Sequence, residues 1–288
     1  MINQSSQGGF LLLGFSEHPG LEKSLFTMAL TSYLLTMVCN TLIFLPSMLN
    51  PRLHSPMYFF LSKLPFLDIC FTTSFVPQML LNLWGPKKTI SFLGCSVQSF
   101  IFMPLGTTEC ILQTTMAFDC YVAVCQPFHY AIIHPHLCGQ LVAVTWVIGM
   151  VQSVVQAPAT LHLPFCPQGQ IDDFSCEVPS LIQLSCFCGN ITYNEIQMFV
   201  ARVFIFIVPL TFILVFYSAI TQTVVRVTLA TGRRKAFGTC CSHLMVIIIF
   251  YSSVIAVYLQ PQNSCAQKRG KFFDLFYAVG TSILNPLI

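Results

Sequence analysis

The chain has 288 residues, of which 55% are hydrophobic and only 8% charged, with a formal net charge of +3 and a mean hydropathy of +0.73. Soluble domains carry roughly 25% charged residues, so this composition excludes a water-soluble globule and makes a bilayer the expected solvent. No nucleic-acid partner and no cofactor are expected, and membrane lipid is the first partner.

The opening stretch MINQSSQGGF has no Lys or Arg, so it does not read as a cleavable secretory signal, and the first apolar helix is expected to target the chain. Charge-free runs cover 25–49, 120–171 and 236–267, each longer than the roughly 20 residues a spanning helix needs. Breaking the apolar pattern at charges, prolines and polar clusters gives seven segments: 25–49, 57–82, 92–125, 138–162, 194–226, 236–260 and 271–288. The expected fold is an all-α membrane protein, a seven-transmembrane helix bundle, as one domain over 25–288 preceded by an extracellular N-terminus over 1–24.

Seven crossings put the two termini on opposite sides. The long connection 163–193 holds Asp172, Asp173 and Glu177 together with Cys166, Cys176, Cys186 and Cys188, and reads as extracellular. Lys/Arg bias does not decide the orientation: Arg52, Arg226, Arg233, Arg234 and Lys235 lie on the proposed inside, against Lys23, Lys87, Lys88, Lys268, Arg269 and Lys271 outside. The glycosylation acceptor Asn3-Gln4-Ser5 and the loop cysteines favour an outside N-terminus, because both chemistries belong to the lumenal side.

Ionisable residues inside spanning segments are costly and mark function or internal pairing. Here they are Lys63, Asp68, Glu109, Asp119 and Arg202. Asp68 and Glu109, mid-helix on segments two and three, can form one polar cluster with Asn40 of segment one and Asn285 of segment seven. That cluster reads equally as a site for water or a sodium ion and as hydrogen-bonded packing. Lys63 is expected to snorkel to the headgroups. Pro209 and Pro286 each remove a backbone donor and permit a kink.

Fourteen cysteines are scattered over helices and loops. Cys95 opens segment three, so a bridge to Cys176 would pin the long loop over the bundle mouth, and Cys166 to Cys186 would close that loop on itself. Sequence leaves this connectivity open, with Cys188 a rival to Cys186. Most other cysteines read as small buried hydrophobes. The adjacency of Cys240, Cys241 and His243 does not fit zinc spacing, so no metal is expected there. No GxSxG, HExxH, Walker A or Rossmann glycine pattern is present, and an enzyme is not expected. A transporter lacks its two-fold repeat.

Four motifs in order resemble the olfactory receptor family of rhodopsin-like (class A) G-protein-coupled receptors, in its tetrapod-type (class II) branch. They are LHSPMYFFL at 53–61 followed by Asp68, MAFDCYVAVCQPFHY at 116–130, KAFGTC at 235–240 followed by Ser242-His243-Leu244, and LNPLI at 284–288. The resemblance covers essentially the whole chain. It implies a plasma-membrane odorant receptor that binds a small volatile molecule in the outer half of the bundle and activates a stimulatory heterotrimeric G protein inside.

Helical counting from Asp119 places Met103, Gly106, Thr107 and Cys110 on one stripe of segment three, and Tyr251, Val254, Ile255 and Tyr258 form a stripe on segment six. A pocket between these stripes would be apolar, with hydroxyls to orient a ligand. The resemblance adds Ala201 and Ile205 from segment five. It also implies a coupling switch made of Asp119, the residue after it, Tyr121, Tyr217, His243, Asn285 and Pro286. Relatives carry an arginine after Asp119, held by that carboxylate when inactive and meeting the G protein when active.

This chain has Cys120 there, which offers neither a permanent charge nor five donors, so weakened coupling is expected. Further departures are Cys39, Pro65, Gly238 and Ser282, where relatives have glycine, serine, serine and proline. The family's inner C-terminal helix and tail are absent from the sequence, as in a cropped or truncated receptor. The competing readings are a non-signalling, pseudogene-type product and a membrane transporter.

Overall fold

The structure, a computed structural model, describes residues 9–14, 19–49, 56–85, 88–126, 135–161, 163, 170–171, 176–178, 181, 191–226, 230–258, 276 and 280–285. Asn3, Cys166, Cys186 and Pro286 lie outside the described residues, as do the side chain of Tyr258 and most of segment seven.

Segment one forms a helix over Pro19–Leu49. It starts six residues before the charge-free run because Pro19 suits a first helical position and Glu22 favours the positive end of the helix dipole. Segment two is two helices, Pro56–Leu61 and Lys63–Trp84, broken at Ser62. Lys63 places its ammonium 4.8 Å from the Phe59 ring centroid. Segment three runs Phe92–Cys125, the expected bounds, and its start is fixed by Ser91, whose hydroxyl accepts from the Gly94 amide. Segment four is Pro135–Leu161 and segment six Ala230–Tyr258. Segment five is Ile191–Arg202, a π-helical turn over Val203–Ile207, then Val208–Arg226.

Stretches 20–49, 59–84, 137–161 and 196–226 are each long and apolar enough to cross a bilayer. Their outward faces, such as Leu34, Val38, Leu42, Val147 and Leu214, are exposed as lipid-facing residues must be. Segment three sits at the centre, burying polar and apolar residues alike from Cys95 to Val122. It packs on segment four so closely that a Cβ on Gly149 would lie 2.8 Å from the Pro104 carbonyl oxygen and 2.9 Å from Thr108 Oγ1. Small residues permit such backbone contact where lipid supplies no hydrophobic drive for association. Ser153 seals the same seam by donating to the Phe100 carbonyl at 2.7 Å.

A three-stranded sheet covers one end of the bundle. β1 (Phe10–Leu12) pairs antiparallel with β2 (Thr89–Ile90) and parallel with β3 (Gln170–Ile171). Phe10, Leu12, Ile90 and Ile171 point inward onto Cys95, Cys176 and Leu181, forming a second small core. The N-terminal region over 1–24 therefore contains a strand and the first turns of a helix. Lys88 and Glu22 join the sheet's rim to segment one by an ion pair.

Candidate functional site

Beneath the sheet lies a cavity of about 80 Å³, lined by segments three, four and five and the long loop. Drug-sized ligand pockets span roughly 300–1,000 Å³, so this one suits a small molecule. Ser99, Phe102, Met103, Gly106 and Thr107 form its segment-three wall, about two helical turns deep, and Met198, Ala201, Arg202, Ile205 and Phe206 its segment-five wall. Gln152 closes it from segment four, and Cys176, Glu177 and Val178 from the loop.

The loop is held there covalently. Cys95 and Cys176 form a disulfide with a Cα–Cα distance of 5.3 Å. The Cys176 amide also donates to Gln98 Oε1 at 3.2 Å, one helical turn beyond the bridge.

Five of the ten expected ligand residues line this cavity: Met103, Gly106, Thr107, Ala201 and Ile205. Cys110, one turn further in, is fully buried in the main core instead. Tyr251 and Val254 also face the core, but Ile255 is 45% exposed on the outside of the bundle. One residue past Val254 on a helix is a rotation of about 100°, which takes Ile255 off the inward stripe. Among the described residues the cavity thus lies between segments three, four and five, where sequence periodicity set it between three and six. Ser99, Phe102, Gln152, Met198, Phe206 and the loop residues were missed. The i to i+3 and i+4 spacing of Met198, Ala201 and Arg202 was the signal available for one of them.

Deeper in the bundle, Asn285 Nδ2 donates to both carboxylate oxygens of Asp68, at 3.2 and 3.1 Å. Asn40 Nδ2 donates to the Thr36 and Ser282 carbonyls, each at 3.0 Å, and so ties segment one to segment seven through backbone. Glu109 is buried within electrostatic reach of Asp68, and its Oε1 has no hydrogen-bond partner among the described residues. An unsatisfied buried polar group costs about 1–3 kcal/mol. The four residues therefore share one region, though their direct bonds join only Asp68 to Asn285.

At the end of the bundle away from the disulfide, Asp119 and Cys120 are both buried. Among the described residues no ion pair or hydrogen bond reaches Asp119. Tyr121 stacks on Phe216 with ring centroids 5.5 Å apart. The Tyr217 hydroxyl lies 2.7 Å from His243 Nδ1 and 3.4 Å from the Cys240 carbonyl oxygen, so segments five and six meet through it. Among the described residues no three His, Cys, Asp or Glu side chains converge as a metal site.

Residues 28–288 match a family profile described as Olfactory receptor. Human Olfactory receptor 2H2 is 73% identical over all of this chain and 92% of its own length, and human Olfactory receptor 2H1 is 71% identical over 100% and 91%. Mouse Olfactory receptor 2C1 is 52% identical over 99% of the chain and 91% of its own length.

Proposed function

Because the chain belongs to the olfactory receptor family, multi-pass plasma-membrane receptors that sense odorants and signal through G proteins and are not enzymes, we propose that it takes a small, mostly apolar odorant in the cavity between segments three, four and five. The observation that carries this reading is the cavity itself. Its apolar walls are Phe102, Phe206, Met103, Met198, Val178 and Ile205, and Ser99, Thr107, Gln152, Glu177 and Arg202 stand among them as the polar groups that a ligand would meet.

The partner at the opposite end is a stimulatory heterotrimeric G protein. Coupling is weakened by Cys120, since Asp119 lacks the cationic neighbour whose release would present a charge to that partner. The N-terminus lies outside the cell, which the Cys95–Cys176 bridge supports because disulfides persist on the lumenal side. Glu109 Oε1, within electrostatic reach of Asp68 and without a hydrogen-bond partner among the described residues, supports a water molecule or a sodium ion held between the two carboxylates.

A ligand activates only through different affinities for two bundle arrangements. Ligand recognition and coupling are therefore separable by mutation. In cells expressing the chain with an odorant panel, Gly106→Phe fills the cavity and abolishes odorant-evoked cyclic AMP while surface delivery is kept. Cys120→Arg raises the response without changing which odorants elicit it. A full response from the unaltered chain, equal to that of Cys120→Arg, would sink the weakened-coupling reading.

A further inference from the structure

Gln98 lies on segment three, one turn inward of Cys95, and is only 6% exposed, with both ends of its side chain engaged. Its Nε2 donates to the Ser74 carbonyl oxygen of segment two at 3.3 Å, and its Oε1 accepts from the Cys176 amide of the long loop at 3.2 Å. Only one orientation of a primary amide gives its donor to a carbonyl and its acceptor to an N–H. One buried side chain therefore joins segments two and three and the loop in a single arrangement.

The loop needs this second attachment. β3 ends at Ile171, and the disulfide holds the Cys95 and Cys176 Cα atoms 5.3 Å apart without fixing how the loop backbone turns about the bridge. The bond from Gln98, one helical turn along the same segment, orients the peptide group that leads into Cys176. The next two residues, Glu177 and Val178, line the cavity, as does Ser99, the neighbour of Gln98 on segment three.

We propose that Gln98 is a positioning residue for ligand selectivity: by fixing the Cys176 peptide against segments two and three, it sets where Glu177 and Val178 stand in the cavity wall. Its effect on selectivity rests on the cavity being the odorant site, but its hold on the loop does not. Glu177 is the loop's charged contribution to that wall and Val178 its aliphatic one. A released loop therefore changes recognition of polar ligands more than that of hydrocarbons.

The test compares Gln98→Met, which keeps the side-chain length and loses both bonds, with Gln98→Glu, whose carboxyl oxygen still accepts from the Cys176 amide. Hydrogen exchange of the detergent-solubilised full chain, read by mass spectrometry, is expected to run roughly 2- to 12-fold faster at the Cys176 amide in Gln98→Met, the range one net hydrogen bond gives. In Gln98→Glu it stays close to the unaltered rate. The rise in thermal midpoint given by each member of an odorant panel reports binding without any G protein. Alcohols, aldehydes and carboxylic acids are expected to lose more of that rise than hydrocarbons of equal chain length in Gln98→Met, and to regain it in Gln98→Glu. Persistence of the Cys95–Cys176 disulfide reports that each variant has folded, and Gln98→Asn, one carbon too short to span both partners, replaces Gln98→Met should that variant not fold. Unchanged exchange at Cys176 would overturn the proposal. Faster exchange with an unchanged odorant ranking would also overturn it, provided Gly106→Phe removes the midpoint rises. Rises that survive Gly106→Phe would instead mean that the cavity is not the odorant site, and the exchange rates alone would then decide whether Gln98 holds the loop.

Discussion

The two ends of the bundle are held by different kinds of bond. At the sheet-covered end a disulfide, two strand pairings, the Gln98 bond to the loop and the Lys88–Glu22 ion pair fix the loop over the cavity. At the other end no disulfide is present among the described residues. The contacts there include a Tyr217–His243 hydrogen bond, a Tyr121–Phe216 stack and a 3.2 Å contact between Cys125 Sγ and Thr223 Oγ1. Each such contact contributes about 0.5–1.5 kcal/mol, so arrangements that trade them differ by only a few kcal/mol. A preordered cavity and an easily rearranged far end are what ligand-driven switching requires, because a ligand shifts an equilibrium no further than its differential affinity.

The strongest way to break this contrast is to cut the staple. Cys95→Ser opens a bridge spanning 81 residues of sequence, and loss of a native disulfide costs roughly 2–5 kcal/mol. Surface delivery measured by antibody staining of intact cells is expected to fall close to background. A variant delivered as well as the unaltered chain would show that the sheet alone holds the loop.

Next in size is Gly149→Leu. The first added carbon already meets the Pro104 carbonyl oxygen at 2.8 Å, which is backbone and cannot swing aside. Segments three and four must part, and the Ser153 bond to Phe100 goes with them. Overpacking costs about 1–3 kcal/mol or more, read as a lower thermal midpoint of detergent-solubilised receptor. Gly139→Ala meets no atom within 4 Å and serves as the neutral comparison. Equal midpoints for the two variants would remove the close seam from the argument.

The spanning segments were legible in the sequence because a bilayer demands long charge-free runs, and segment three matched to the residue because Ser91 caps it. The sheet was not legible. Its outer strands are two residues long, too short to show an alternating pattern, and β1 pairs with residues about 160 positions away. The cavity was half legible. Met103, Gly106 and Thr107 follow from helical counting, but Gln152 and the loop residues Cys176, Glu177 and Val178 enter the cavity through the packing of segment four and the long loop on segment three, which no period along one segment encodes. Asp119 and Cys120 stood out in the sequence as a switch missing its arginine.

The smallest expected effect probes the loose end without altering its packing. Tyr217→Phe keeps the ring beside His243 and removes only the hydroxyl. His243 Nε2 already has no hydrogen-bond partner among the described residues, so the variant leaves the buried imidazole with neither nitrogen satisfied in this arrangement. Segments five and six meet through this hydroxyl, so its loss favours arrangements in which segment six has moved away and His243 reaches water. A bond of about 0.5–1.5 kcal/mol corresponds to a shift of roughly 2- to 12-fold in that equilibrium. Measured in a Cys120→Arg background, where coupling is expected to be stronger, ligand-independent cyclic AMP is expected to rise within that range while odorant selectivity is unchanged. A fall in ligand-independent signalling would mean that the Tyr217–His243 bond belongs to the signalling arrangement, and would reverse the assignment of the loose end as closed in this structure.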